Sequence, residues 1–165
     1  MIHGRYLNQG EDLTDVLKVR QLSLCDAGMN TAEDPLDPEA VNILVDLKDE
    51  MAEDTWPFIG CGRILCDVEN FRFYIDQIGI RPEFRRKGYG EFALRMLVDK
   101  ANLCGAKKVW LKLPDDWDLS DPAHEEALRF FQQMHFSQEE ERWMSADIEA
   151  FHSCCHNENE TGMQA

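Results

Sequence analysis

The chain has 165 residues, of which 44% are hydrophobic and 30% charged, a composition typical of one soluble domain with a single core. Its formal net charge of -15 argues against general nucleic-acid binding and weakly favours a cationic substrate such as an amine, although acidity also serves solubility. No apolar run is long enough to span a membrane, and the N-terminus lacks the apolar core of a secretion signal, so we expect a cytoplasmic protein without membrane contact.

The first half of the chain predicts one helix and several strands. Between residues 12 and 25 the apolar residues recur at helical spacing, whereas between 41 and 47 they alternate with polar residues, as in a half-buried strand. Two apolar runs flank a turn-like segment at 67–70, which favours a pair of strands. The predicted elements are a strand at 2–7, a helix at 12–25, a loop at 27–38, and strands at 41–47, 58–66 and 71–80.

The second half predicts two helices and two strands in alternation. The first helix, at 91–103, should end near Gly105, and its apolar face consists of Ala93, Leu94, Leu97, Val98 and Ala101. The second should begin with Asp121 as the N-cap and Pro122 at the first helical position. The strands are predicted at 109–113 and 142–148.

This order of elements predicts an α/β protein with helices on both faces of its sheet. The strand at 71–80, the helix at 91–103 and the strand at 109–113 fit a parallel βαβ unit. We assign residues 1–150 to a single domain and residues 151–165 to a polar, loose C-terminal tail.

A basic turn with two glycines joins the strand that ends at Ile80 to the helix that follows Gly90. Glycines let main-chain N–H groups come close to an anion, and the start of a helix adds unpaired N–H donors and the positive end of its dipole. The turn also reverses the local sign of an acidic chain, through Arg81, Arg85, Arg86 and Lys87. The segment therefore predicts an anion-binding site.

Two familiar phosphate motifs are absent. The chain contains no G-x-x-x-x-G-K-[ST], which argues against a P-loop nucleotidase, and no G-x-G-x-x-G, which argues against a dinucleotide fold. A nucleotide-binding protein of another class that uses the same basic turn stays open as an alternative.

The run Ile78 to Gly90 resembles the acyl-CoA signature of the GNAT superfamily of N-acetyltransferases. The likeness rests on an apolar strand end, a Pro-Glu-aromatic turn and Arg85-x-x-Gly88-x-Gly90 at the start of a helix. More loosely, the order of elements over residues 2–150 is the one this family uses. The resemblance implies a single domain with a mixed, twisted sheet, and relatives are often dimers, so a homodimer is possible.

The resemblance also implies a cofactor, acetyl-CoA or another acyl-CoA. Its diphosphate would lie on the main-chain N–H groups of Arg86 to Glu91, and its pantetheine arm would pair with Ile78 to Ile80, where an N–H would polarise the thioester carbonyl. The Glu91 carboxylate should point away from that anion. The implied cofactor-binding residues are Ile78, Gly79, Ile80, Arg85, Arg86, Lys87, Gly88, Tyr89, Gly90, Glu91, His124 and Phe131.

The activity that the resemblance implies is direct transfer of an acetyl group to a primary amine, on either a small molecule or a peptide. Strand alternation predicts that Tyr74, Asp76, Ile78 and Ile80 share one face, and Asp76 is the only carboxylate among them. Asp76 is therefore either a base with a raised pKa or a solvated or salt-bridged carboxylate. Tyr74 is a candidate to protonate the leaving thiolate.

The last helix departs from the family pattern N-x-x-A-x-x-[aliphatic]-Y-x-x-x-G-F. Ala127 and Phe136 match it, whereas His124, Phe131 and His135 replace its asparagine, tyrosine and glycine. In many relatives that tyrosine protonates the thiolate, which Phe131 cannot do, although it can still pack beside the cofactor. His124 is either a donor, if residues 114–122 fold over the site, or an exposed residue at the start of the helix.

These departures motivate an alternative function, a catalytically impaired acyl-CoA-binding sensor or partner module of the same fold. Lys112 adds to it, because it occupies a position where some relatives carry a carboxylate base. In the tail, His152, Cys154, Cys155 and His156 are metal-ligand types, but their spacing matches no familiar zinc pattern, so we predict no metal site.

Overall fold

The computed structural model describes residues 1–24 and 33–152. Several predictions fall outside the described residues, namely those on Cys25 at the helix end, on loop residues 27–32, and on Cys154, Cys155 and His156 of the tail.

The regular elements follow the predicted order. They are β1 (His3–Leu7), α1 (Thr14–Ser23), β2 (Val41–Asp46), β3 (Phe58–Asp67), β4 (Arg72–Ile80), α2 (Tyr89–Leu103), β5 (Lys108–Lys112), α3 (Pro122–Gln133), β6 (Ser137–Glu140) and β7 (Trp143–Asp147). Short 3-10 helices lie at Asp37–Glu39, Lys48–Glu50 and Pro82–Phe84, and residues 148–152 are helical. The sequence did not predict β6, because all of its residues are exposed and polar and so carry no apolar alternation.

The described strands form one mixed sheet in the order β1-β2-β3-β4-β5-β7-β6. Neighbouring strands are antiparallel except β4 and β5, which are parallel and connected through α2. This confirms the predicted α/β class and the predicted parallel βαβ unit.

Helices cover both faces of the sheet, as predicted. On one face α2 and α3 enclose the main core, and the buried residues of α2 are the five predicted ones, Ala93, Leu94, Leu97, Val98 and Ala101. On the other face α1 packs Val16 and Val19 against Leu44 and Cys61. Alternation along the strands explains the division, since Ile43 and Val45 lie on the α2 face and Leu44 lies between them on the α1 face.

The C-terminal end of α2 and the N-terminal end of α3 are as predicted, whereas α2 begins at Tyr89, two residues before the predicted start. Gly105, at φ +86°, follows α2, and its N–H donates to the Asn102 carbonyl (2.9 Å), which is the left-handed ending that glycine favours. The Asp121 carboxylate caps α3 by accepting from the N–H of Ala123 (2.9 Å).

The packed part of the chain extends into the segment assigned to the tail. Phe151 is buried, with its ring centroid 6.0 Å from that of Phe136. In the described ranges, no helix combines the length and the apolar character needed to cross a membrane.

Candidate active site

Strands β4 and β5 pair over a short length and then separate. Their parallel register consists of Tyr74 opposite Trp110 and Ile75 opposite Leu111. Beyond this point β4 continues to Ile80, whereas β5 ends at Lys112. Among the described strands, none pairs with the β5-facing edge of residues 76–80, so this edge offers main-chain donors and acceptors to a ligand.

A β-bulge bends β4 where the strands separate. Arg63 of β3 lies opposite Asp76 and Cys61 lies opposite Gly79, so Gln77 and Ile78 together face Gly62. Gln77 has φ +51°, a left-handed conformation, and its carbonyl accepts from Sγ of Cys61 (3.4 Å).

The bulge corrects the predicted alternation along this strand. An inserted residue moves every following side chain to the other face. Tyr74 and Asp76 therefore lie on the α1 face, whereas Ile78 and Ile80 pack on the α2 face. The prediction that these four side chains share one face is wrong.

Gly79 lets the end of α1 approach β4. A Cβ at this position would lie 2.7 Å from Oγ of Ser23 and 2.9 Å from the Leu24 side chain. Only a residue without a side chain allows this contact, which places the end of α1 against β4 at Gly79.

The basic turn forms an open cradle, which we define as residues 85–91. Arg86, at φ +64°, and Gly88, at φ +83°, turn the chain into α2. Within the described residues, the N–H groups of Arg86 to Glu91 have no hydrogen-bond acceptor. A row of free N–H groups at the positive end of a helix dipole is suited to a phosphate group.

The basic side chains of the turn have two different uses. Arg85 turns inward, donating from Nε to the Ile80 carbonyl (2.8 Å) and from Nη2 to the Ser23 carbonyl (2.9 Å), so it joins the cradle, β4 and α1. Arg86 is 81% exposed and lies 3.2 Å from the Glu126 carboxylate of α3. The Glu91 carboxylate pairs with Arg95 one turn along α2 (3.0 Å), rather than with a basic side chain of the cradle.

A cavity of about 450 Å³ lies between the cradle and α3. Its lining includes two ion pairs, Arg86 with Glu126 and Arg129 with Glu125, both at 3.2 Å. A bound anion would compete with these carboxylates for the two guanidinium groups.

Helix α3 packs aromatic side chains beside the cradle. Phe131 is 6% exposed and packs against Phe130 and Phe136, so it is a core residue at the position of the family tyrosine. His124 is half-buried and stacks on Trp117 of the preceding loop at 4.5 Å between ring centroids. The loop therefore packs against the start of α3, and the donor use of His124 stays a prediction.

Tyr74 brings a hydroxyl to the point where β4 and β5 separate. The residue is 8% exposed, and its ring lies edge-on to Trp143 at 5.3 Å. No described residue hydrogen-bonds to its hydroxyl. Burial, together with the nearby charge of Asp76, raises the pKa of Tyr74 above 10, so the hydroxyl is protonated at neutral pH.

The sequence left Asp76 as either a base or a solvated or salt-bridged carboxylate, and the structure shows a salt bridge. Nε and Nη2 of Arg63 donate to its two oxygens at 2.7 and 2.8 Å. Both oxygens of the carboxylate already accept from the same guanidinium. This geometry favours a structural use of Asp76 over a base.

Asp76 belongs to a larger cluster on the α1 face, which we call the arginine network. Arg20 donates through both Nη atoms to Asp37 (2.7 Å each), and Nη1 of Arg63 lies 3.1 Å from both Asp34 and Asp37. Its members are Arg20, Asp34, Asp37, Asn42, Arg63 and Asp76. It joins α1, the segment before β2, and strands β2 to β4.

The charges of the network hold one another ionised. Burial alone would raise the pKa of Asp37, but hydrogen bonds and charges from Arg20 and Arg63 hold it below 3.8. Burial alone would lower the pKa of Arg63, but Asp76 and Asp34 raise it. The sequence prediction missed this network, although one signal was present: Arg63 shares a strand face with Cys61 and Leu65, which are apolar.

Comparisons with known proteins agree with this architecture. The model of a family described as "Acetyltransferase (GNAT) family" matches residues 24–136. A comparison with curated proteins found no match.

Several solved structures share the fold. The ribosomal-protein-S18-alanine N-acetyltransferase from Escherichia coli has a TM-score of 0.63 at 15% identity, over 90% of this chain and 94% of that one. An acetyltransferase of the GNAT family from Staphylococcus aureus Mu50 has a TM-score of 0.63 at 12% identity, over 90% and 99%. N-acetylglutamate synthase from Neisseria gonorrhoeae, solved with coenzyme A and L-arginine, has a TM-score of 0.60 at 15% identity, over 88% of this chain and 33% of that one.

At these identities the solved structures establish likeness of fold alone. The family match covers more than half of the chain and includes β4, the cradle and α3. The protein therefore belongs to the GNAT acetyltransferase family.

Proposed function

We propose that the protein is an acyl-CoA-dependent N-acyltransferase that moves an acetyl group from acetyl-CoA to a primary amine. The observation that carries the proposal is the row of N–H groups from Arg86 to Glu91, without acceptors among the described residues, directly beside the unpaired edge of β4. One anion site and one strand edge, placed end to end, suit a ligand with a diphosphate and an extended amide-containing arm.

In this proposal the cradle and the strand edge hold the cofactor. The N–H groups of Arg86 to Glu91 would bind its diphosphate, and the main chain of Ile78 to Ile80 would pair with its pantetheine arm. When bound, acetyl-CoA would supply an acetyl thioester: an amine would form the new N–C bond as the C–S bond breaks, leaving the coenzyme A thiolate and a proton from the amine. Gly88 and Gly90 keep the approach to the amides open, while Arg86 and Lys87 add positive charge at the surface.

The residues that would handle protons follow from the geometry of the α1 face. A tyrosine is protonated at neutral pH, and burial raises the pKa of Tyr74 further, so Tyr74 can donate to the leaving thiolate but cannot remove a proton from the amine. Asp76 is already paired with Arg63, so we assign the amine proton to water. A thiol has a pKa of about 8.5, and its thiolate therefore leaves without a strong acid.

A second candidate is an acyl-CoA-binding sensor or partner module without turnover. Phe131 favours it, because this buried ring at the family tyrosine position has no proton to give. The ion pair of Asp76 favours it too, because it removes the only carboxylate on that face of β4 from base chemistry. The predicted homodimer stays a prediction.

Two measurements test the proposal. Calorimetry should detect binding of acetyl-CoA, and a ligand that binds only the native state should raise the melting temperature. With a panel of primary amines, free thiol should then appear, and Tyr74→Phe should slow its release while leaving acetyl-CoA binding unchanged. Binding without thiol release on any amine would favour the second candidate, and the absence of binding would contradict both.

A further inference from the structure

The bulge of β4 is an irregularity that its surroundings hold in place. Gln77 adopts φ +51°, a region that residues with a side chain rarely occupy. Such a conformation persists where neighbouring groups fix it, and it often marks a functional position. Here it occurs at the point where the edge of β4 becomes free of β5.

Arg63 fixes the residue that precedes the bulge. It lies opposite Asp76 in register and grips the carboxylate with a two-pronged pair, Nε to Oδ1 at 2.7 Å and Nη2 to Oδ2 at 2.8 Å. A pair of this kind fixes direction as well as distance, because the guanidinium is planar and its donors form a rigid fork. The main chain of Asp76 is therefore held before it enters the bulge.

The remaining donor of Arg63 extends this hold to another part of the chain. Nη1 lies 3.1 Å from Asp34 and 3.1 Å from Asp37, which both precede β2. Asp37 is held in turn by Arg20 of α1. The bulge is thus joined to the segments that cover its α1 face.

Stability alone does not account for these buried charges. An apolar cluster of the same volume commonly stabilises a core as well as a buried ion pair does, because the pair must first lose its water. What an apolar cluster lacks is direction. An arginine fork at this position specifies where the following main chain goes.

We propose that Arg63 is a positioning residue for the proposed acyl transfer. It holds the bulged main chain of Gln77 to Gly79 so that an N–H of this segment meets the thioester carbonyl and polarises it. The inference rests on the proposed function, because the carbonyl belongs to the proposed cofactor. Arg63 itself touches neither substrate nor cofactor and acts through Asp76.

A matched pair of variants separates positioning from packing. Arg63 and Arg20 are both 1% exposed and both donate to Asp37, but only Arg63 reaches Asp76. Arg63→Lys and Arg20→Lys each keep the charge and lose the fork. Both should lower the urea midpoint, so stability does not distinguish them.

The distinguishing measurement is the carbonyl stretch of bound acetyl-CoA, labelled with carbon-13 and recorded by difference infrared spectroscopy. An N–H that polarises the carbonyl lowers this frequency relative to free acetyl-CoA. Wild type and Arg20→Lys should show the same lowering, and Arg63→Lys should lose at least about half of it while its Kd changes less than about threefold, because the cradle binds the diphosphate separately. No amine substrate is needed.

Equal lowering in Arg63→Lys and wild type would overturn the inference and leave the proposed function standing. Failure of wild type to bind acetyl-CoA would contradict the proposed function, and the inference with it. Should Arg63→Lys not fold, Asp76→Asn decides, because it keeps the shape of the side chain and removes the charge from the same contact. This variant should also lose the lowering, and unchanged lowering would overturn the inference.

Discussion

The cradle and the arginine network hold the two ends of the same strand segment by opposite means. The cradle, after β4, consists of main-chain N–H groups that have no acceptor in the described part of the chain. The network, before the bulge, consists of side chains whose charges are paired with one another beneath α1. The difference indicates separate uses of the two regions. Main-chain N–H groups without an acceptor are suited to bind a ligand, and paired side chains hold the strand that lies beside that ligand.

The largest expected effect is on stability, when a member of the arginine network is removed. Asp37→Ala leaves Arg20 without its two-pronged partner and takes one carboxylate from Arg63, so we expect it to lower the free energy of unfolding by about 3–5 kcal/mol. Urea denaturation measures the loss. Glu125→Ala, which removes an exposed partner of Arg129, is the control and should cost nothing measurable. Equal midpoints for the two variants would show that the network contributes little.

Acid should weaken the same region. The pKa values of Asp34 and Asp37 lie below 3.8 in the folded protein, so the unfolded chain binds more protons between the two pKa values. Their contribution to stability is complete above the unfolded pKa of about 3.9 and is lost as the pH falls through the folded pKa. Urea midpoints measured from about pH 5 to about pH 2 should therefore fall less steeply in Asp37→Asn than in wild type. Parallel curves would contradict the assignment.

Two glycines with the same backbone conformation test whether the cradle binds the cofactor. Gly88 at φ +83° and Gly105 at φ +86° both have free space where a Cβ would lie, so alanine at either position should cost about 1–2 kcal/mol through backbone strain alone. Only Gly88 belongs to the cradle. Gly88→Ala should weaken acetyl-CoA binding about tenfold by misdirecting N–H donors, whereas Gly105→Ala should leave it unchanged. Calorimetry that finds equal affinities would place the diphosphate elsewhere.

The smallest expected effect concerns the cavity beside the cradle. Glu126→Gln releases Arg86 from its carboxylate, so acetyl-CoA should bind about twofold to threefold more tightly at low salt, and about 0.5 M salt should abolish the gain. Glu140→Gln, which releases Arg72 at the start of β4, is the control. A gain of the same size in both variants would indicate a general charge effect rather than a contact of Arg86.

The sequence predicted the cradle because its parts are neighbours in the chain. Gly88, Gly90 and the helix start act within a few residues of one another, so one short run contains the whole arrangement. The use of the Arg85 side chain was not predictable, because its acceptors include Ser23, which lies far away in sequence.

The arginine network and the bulge could not be predicted from the sequence for a related reason. Arg63 interrupts an apolar strand face, which indicates a buried partner, but no local pattern identifies Asp76, Asp37 and Asp34 as the partners. Position 77 is neither glycine nor proline, so nothing in the sequence indicated the bulge. Simple alternation therefore assigned Ile78 and Ile80 to the wrong face of the sheet. Local periodicity of apolar residues was enough to predict the fold class. The side-chain contacts at the site depend on the register between strands that are distant in sequence, so they were not predicted.

The most direct test of the account is an NMR titration of the nitrogen-15-labelled protein with acetyl-CoA, following each amide resonance. If the cradle binds the diphosphate, the N–H signals of Arg86 to Glu91 should move farthest, those of Ile78 to Ile80 should follow, and that of Gly105 should stay in place. Saturable binding with the Arg86 to Glu91 signals unmoved would contradict the account.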